Sequence, residues 1–394
     1  MRKTTTFQLS AIAALILVAV ALAAPRRGNR PPFQQTKQSD QTKQTEQSKI
    51  GVEGRPIDLV IALDTSSSMD GLIDGARQKL WDIVNVLGQA RPRPALRVGL
   101  ISYGNTGYDA SVGWVRKDAD LTTDLDGIYA KLFALRTNGG EEYVARALQE
   151  ATTDMQWSPA TGALKIVFVA GNEPANQDPL IPVETAVARA RDQGIFVNTI
   201  YCGDASAGEA RLWAAVASLG KGRYAAIDQN SAVAVATPLD DELGRLSAEL
   251  NTTYVGYGAG GATGLANQAA QDKNAASLGR AVAATRASAK SRSVYNNSSW
   301  DLVDAFKSKG ASAAAMPAAS LPAPMKAMSE GERTAFLDSK AKERDGIQEK
   351  IAVLSASRDK LVKEARARKS GPKALDDALD GAIVEEAKSA GFAF

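Results

Sequence analysis

The sequence predicts an α/β fold: a doubly wound, mostly parallel sheet with helices on both faces, followed by a mainly helical C-terminal region. Three observations carry this. Runs of apolar, largely β-branched residues recur at 57–63, 96–103, 165–170 and 195–201, without the alternation of a half-exposed strand, as strands buried on both faces require. Segments with helical apolar spacing fall between them. The first run ends in Asp64 and is followed at once by Thr65, Ser66, Ser67 and Ser68. Polar chemistry therefore collects at the carboxyl end of a strand, where doubly wound sheets bind ligands.

The chain opens differently. Arg2 and Lys3 precede a small-apolar run from Ala11 to Ala24, and Ala21 and Ala23 supply the small residues a signal peptidase needs. Residues 1–24 read as a cleaved export signal, which places the protein in the periplasm or outside the cell. The run is short for a transmembrane helix; an uncleaved anchor is the other reading and the sole membrane contact expected. No cysteine lies nearby, so lipoprotein attachment is excluded. Residues 25–55, rich in Gln, Thr, Lys, Ser and Pro, read as a flexible tether.

A domain over 56–250 follows. After the first strand comes a helix at 72–88, with Leu72, Ala76, Leu80, Ile83, Val84 and Leu87 on one side. Pro92 and Pro94 break the chain before the strand at 96–103. A short edge strand is expected at 112–116. Residues 121–124 read as a helix start capped by Thr or Asp, with Ile128, Leu132 and Leu135 at helical spacing. Gly139 and Gly140 interrupt before a helix at 143–155. Then follow strand 165–170, helix 183–193, strand 195–201, helix 209–219, strand 223–227 and helix 239–250.

Residues 251–328 read as an Ala- and Gly-rich, partly helical linker region. Gly256 to Gly264 lacks the βαβ context of a dinucleotide loop and reads as a connector. Residues 299–306 are amphipathic, and 311–324 form a second linker by composition. From 329 to 394 charges of both signs dominate. Leu337, Ile347, Ile351, Leu354, Leu361 and Ala365 form one narrow apolar seam, suited to a coiled coil or a partner helix and interrupted by Lys340, Arg344 and Arg358.

Composition excludes several functions. The 394 residues, 44% hydrophobic, are enough for a real core and more than one domain. The absence of histidine rules out Ser-His-Asp and Cys-His catalysis and His-ligated zinc. Cys202, the single cysteine, permits no intrachain disulfide and reads as a buried strand-end residue. A net charge of +3 is too small to argue for nucleic acid. There is no P-loop and no nucleophile elbow, so the chain does not read as an enzyme, and a hydrolase using Asp64 is the least favoured reading.

Asp64, Ser66 and Ser68 after a hydrophobic strand, with this order of elements downstream, resemble the von Willebrand factor A family and its metal-ion-dependent adhesion site, here as an exported bacterial member. All three side chains are hard oxygen donors suited to Mg²⁺, Mn²⁺ or Ca²⁺. The resemblance implies a cation held by three loops and left under-neutralised by its serines, so that a partner protein's Glu or Asp completes the shell. The second loop would be Thr137 to Glu142, with Glu141 where the family often has threonine. As a ligand, Glu141 would hold the cation more strongly and reduce its appetite for a partner's acid. Alternatively, Glu141 and Glu142 are first-turn helix acids. In the third loop the family's aspartate position falls on Gly171, with Asn172 placed to orient a metal-bound water and Asp204 a further contributor on the same rim. The candidate metal set is Asp64, Ser66, Ser68 and Glu141. Two rival readings stand: Asp64 and the serines merely cap the next helix, or the fold persists as a metal-free structural scaffold of the cell envelope, as Gly171 favours.

Overall fold

The computed structural model describes residues 54–227, 234–309, 314–368 and 375–394. The expected export signal and nearly all of the tether lie outside the described residues. The sheet has six strands: β1 (Arg55–Asp64), β2 (Pro94–Tyr103), β3 (Val115–Thr122), β4 (Leu164–Gly171), β5 (Ile195–Cys202) and β6 (Lys221–Ile227). Their order is β3-β2-β1-β4-β5-β6, parallel throughout except for β3, which runs antiparallel to β2 at one edge. The central strand β1 is apolar on both faces because both are covered. Ile57, Leu59, Ile61 and Leu63 join one hydrophobic cluster, and Val60 and Ala62 join another.

Helices α1 (Asp70–Leu87), α2 (Leu125–Ala134) and α6 (Asp240–Asn251) bury their stripes in the first cluster. Helices α3 (Val144–Thr153), α4 (Val183–Asp192) and α5 (Gly208–Leu219) bury theirs in the second. β1 has β2 on one side and β4 on the other, so strand order reverses at β1 and a crevice opens beyond its carboxyl end.

The edge strand begins later than the 112–116 expected. Asp109 accepts a hydrogen bond from Ser111 N at 2.8 Å, and Gly113, at φ 82°, closes a short 3₁₀ turn that consumes residues 110–112. The strand then runs through Thr122, and Asp124 caps α2 by accepting from Gly127 N at 2.9 Å.

The C-terminal region packs onto the α1/α6 face. It comprises α7 (Gly261–Ser277), α8 (Arg280–Lys290), α9 (Leu302–Lys309), α10 (Glu330–Ala367) and α11 (Leu375–Ser389). The glycine-rich stretch is no loose connector: Gly261 opens α7, and any side chain on Gly264 would collide with the Trp300 ring. In the second expected linker, Ala314 and Leu321 are buried, as is Met325 just beyond it, in a small core with Leu302, Val303 and Leu337. α10 starts at a capping box formed by Ser329 and Glu332. Leu337, Ile347 and Ile351 of its seam are buried, and α10 packs on this chain's own helices α6, α8 and α9, whereas Leu361 is exposed. Arg344 and Arg358 belong to the buried stripe. Arg344 pairs with Asp301 at 2.6 Å and Asp304 at 2.7 Å, and Arg358 pairs with Asp240 at 2.8 Å. In α8, buried Arg286 bridges Asp126 and Asp272 at 2.6 Å each, and Lys290 meets Asp272 at 3.0 Å.

Candidate metal centre

Asp64 is the last residue of β1 and is fully buried. Its Oδ1 accepts from Ser66 N at 2.8 Å. Thr65 turns inward, and its N and Oγ1 both donate to Tyr103 O at 2.8 and 2.9 Å, pinning the loop to the end of β2. Ser66 and Ser68 stand with their hydroxyls 3.3 Å apart, and Asn172 donates to Ser68 Oγ at 3.2 Å. Helix α1 follows with Met69 as its N-cap, whose side chain makes no capping bond. Asp64 and Ser66 bond within the loop, so helix capping does not explain them.

The second loop folds back over the first. Thr137 Oγ1 donates to Asp70 Oδ1 at 2.6 Å, Asn138 N to Thr65 O at 3.0 Å, and Thr106 N to Gly139 O at 2.7 Å. Gly140 lies so close to Gly104 O that no side chain fits there. The register this imposes points Glu142, not Glu141, at the site. A Cβ on Gly104 would lie 2.8 Å from Asp64 Oδ1 and 2.9 Å from Glu142 Cγ, so only a glycine separates the two acids. Glu141 is exposed. Since α3 has Tyr143 as its N-cap and no acid in its first turn, neither glutamate is a helix-dipole residue.

In the third loop Gly171 is enclosed. A Cβ there would lie 2.6 Å from Tyr103 Oη, 3.1 Å from Asp64 Oδ2 and 3.2 Å from Trp213 Cη2. No carboxylate fits at this position, and the Asn172 amide reaches the cluster instead. Asp204 is exposed and closes its own turn, accepting from Ser206 N and Oγ at 2.8 Å each, and so stands apart from the cluster. Cys202 is buried, and burial pushes its thiol pKa far up, so it is inert as a nucleophile.

The sequence model of the von Willebrand factor type A domain family matches residues 58–242. Over these residues, a little under half of its length, the chain is similar to a von Willebrand factor type A (VWA) domain. Among solved structures, the chain is similar to proximal thread matrix protein 1 from the mussel byssus, with a zinc-occupied MIDAS motif. Identity is 14%, over 45% of this chain and 43% of that one, with a TM-score of 0.36. It is also similar to the pilus adhesin SpaC from Lactobacillus rhamnosus GG in its open conformation: 15% identity, 46% and 29% of the chains, TM-score 0.35. The SpRpn10 VWA domain gives 13% identity over 48% of this chain and 94% of that chain, with a TM-score of 0.30. The chain thus spans less than half the length of the first two. No curated protein matches it.

The electrostatics at the top of this sheet are unbalanced. Burial raises the Asp64 pKa to about 7, with Glu142 and Glu173 pushing the same way against the Ser66 backbone N–H. Burial also raises Glu142, aided by Glu173 and Glu141 and opposed by the Ser66 hydroxyl. Two buried oxygen acceptors, Asp64 Oδ2 and Asn172 Oδ1, have no hydrogen-bond partner. Among the described residues no three Asp, Glu, Cys or His side chains form a metal cluster on their own. The donors available for a cation are thus one buried carboxylate, two hydroxyls, an amide and a neighbouring glutamate. This all-oxygen set suits a hard divalent ion. Sequence spacing alone missed Glu142. The apolar stripe that begins at Val144 was the signal that both glutamates precede the helix.

Proposed function

We propose that this chain is an exported, non-enzymatic protein-binding module that holds a divalent cation, Mg²⁺, Mn²⁺ or Ca²⁺, at the top of its VWA sheet and engages another protein there. The observation that carries this reading is Asp64: a fully buried carboxylate beside further carboxylates whose Oδ2, among the described residues, has neither a hydrogen-bond partner nor a neighbouring cation. Such a group is costly in protein and satisfied by a metal ion. Asp64, Ser66 and Ser68 are the ligands of this reading, and Glu142 takes the role the sequence suggested for Glu141. Asn172 orients a bound water. With Glu142 close by, the cation is more nearly neutralised than by serines alone. A partner's Glu or Asp then competes with an acid of this chain for the ion. Export rests on the N-terminal sequence pattern. The non-enzymatic reading rests on the absence of histidine and the inert Cys202.

Titration with Mg²⁺ and Mn²⁺, read by thermal shift, tests the reading. At a hundredfold excess over Kd the ion should add about 2.7 kcal/mol to folding. Glu142→Ala should weaken the ion roughly tenfold, on the order of the 1.4 kcal/mol that a tenfold change represents, while Glu141→Ala leaves it unchanged. A wild-type protein indifferent to both ions would favour the metal-free scaffold.

A further inference from the structure

We propose that Lys290 and Asn251 join in an intramolecular isopeptide bond that ties α8 to α6, with Asp272 moving the proton. Lys290 is the last residue of α8 and is fully buried, and Asn251 is the last residue of α6. Lys290 Nζ lies 2.5 Å from Asn251 Oδ1. The amide carbon Cγ is one C=O bond, about 1.2 Å, beyond that oxygen, so it stands within roughly 3.7 Å of Nζ. Reacting atoms held about 3–3.5 Å apart are in near-attack geometry, where the reaction needs no encounter.

Asp272 in α7 completes the constellation. It accepts from Lys290 Nζ at 3.0 Å on Oδ2 and 3.2 Å on Oδ1, and its Oδ2 also accepts from Asn251 Nδ2 at 2.6 Å. One carboxylate oxygen thus touches both the nitrogen that attacks and the nitrogen that leaves. Arg286 Nε, 2.6 Å from Asp272 Oδ1, fixes the carboxylate in that position. Ser247 Oγ accepts a further bond from Nζ at 3.1 Å and steadies the amine. A lysine is a nucleophile only as the free amine, which burial favours. Here burial brings the Lys290 pKa down to about 8, against the attraction of Asp272 and with the repulsion of Arg286.

The atoms balance without a co-reactant. The lone pair of the neutral amine attacks Cγ and forms the Nζ–Cγ bond, while the carbonyl π pair moves onto Oδ1. Asp272 takes one of the two Nζ protons as base. The carbonyl then re-forms, the Cγ–Nδ2 bond breaks with its pair on nitrogen, and Asp272 hands the proton to Nδ2. Ammonia leaves past the Asp272 side chain, which is 24% exposed, and the carboxylate ends as it began. The product exchanges a buried ammonium for a neutral amide, relieving the desolvation penalty of the charge.

Trypsin digestion of the full chain, followed by mass spectrometry of the peptides, tests this. Trypsin does not cut after an acylated lysine, so residues 246–273 should appear joined to 287–292, lighter than the two together by one ammonia. Fragmentation should place the bond on Asn251 and not on Asn267, the other asparagine of that peptide. Lys290→Arg should yield 246–273 only as a free peptide, and Asp272→Asn should lower the linked fraction at least tenfold. The wild-type peptide alone carries the decisive mass, so a variant that folds poorly leaves the test intact. Recovery of 246–273 and 287–290 only as free peptides from the wild type overturns the proposal. Linkage in Asp272→Asn equal to that of the wild type overturns the role of Asp272.

Discussion

Replacing Asp64 by Asn should stabilise the metal-free protein at high pH, although Asp64 lies at the centre of the candidate site. Its carboxyl ionises near 3.8 when unfolded and near 7 when folded, chiefly because of burial. The folded state therefore holds the proton more tightly. The stability this confers is fully present below about pH 4, drains away between 4 and 7, and is gone above 7. Three units at 1.36 kcal/mol each make the loss on the order of 4 kcal/mol. Asn does not titrate, and its Oδ1 can still accept from Ser66 N. Its amide nitrogen, however, replaces the unpartnered Oδ2 and finds no acceptor, which costs about 1–3 kcal/mol. The balance favours the variant by roughly 1–3 kcal/mol at pH 8 and reverses toward pH 4, where Asp64 itself is neutral and the cost of the unpartnered amide remains. Urea midpoints of both proteins in EDTA at pH 8 and pH 4 measure it directly. Saturating Mg²⁺ should then stabilise the wild type alone. A wild type more stable than the variant at pH 8 without metal, or a difference that ignores pH, would refute the reasoning.

Gly171→Ala should cost about 1–3 kcal/mol, because its methyl group meets Tyr103 Oη at 2.6 Å in a fully packed corner; an unchanged urea midpoint would show that the third loop has slack. Arg344→Met should cost about 3–5 kcal/mol by leaving buried Asp301 and its neighbour Asp304 without their cation. That loss should be larger at pH 8 than at pH 5, because burial and the Asp301 charge raise the Asp304 pKa, and without Arg344 it can take up a proton. Equal losses at both pH values would mean that the acids find another partner.

The strands of the central sheet were legible because burial on both faces leaves an unmistakable apolar run, as at Val60 and Ala62. β3 was displaced because it is an edge strand carrying Arg116, Lys117 and Asp118, and its start depends on the Asp109 turn. In the site, Asp64, Ser66 and Ser68 sit on one loop, so local spacing brought them together. Glu142 does not belong to that loop. Its approach depends on how the Gly139–Gly140 turn lies against Gly104, a register no sequence periodicity encodes. The seam of α10 was visible, but periodicity says only that a stripe is buried, not against what. Arg344 and Arg358 read as interruptions because their carboxylate partners lie 43 and 118 residues away.

Those arginines have a consequence for how the molecule comes apart. Asp126 in α2 and Asp240 in α6 lie within the VWA match, yet the cations that neutralise them, Arg286 and Arg358, come from α8 and α10 beyond it. Peeling the C-terminal helices away would break these ion pairs and expose the apolar stripes of α1 and α6 to water, at a cost comparable to much of a domain's net stability. No intermediate with the sheet intact and the helices released is therefore cheap to populate. Melting of the helical half and of the sheet is tied into a single cooperative event, and the limit of the family match at residue 242 is not a seam along which the protein can open.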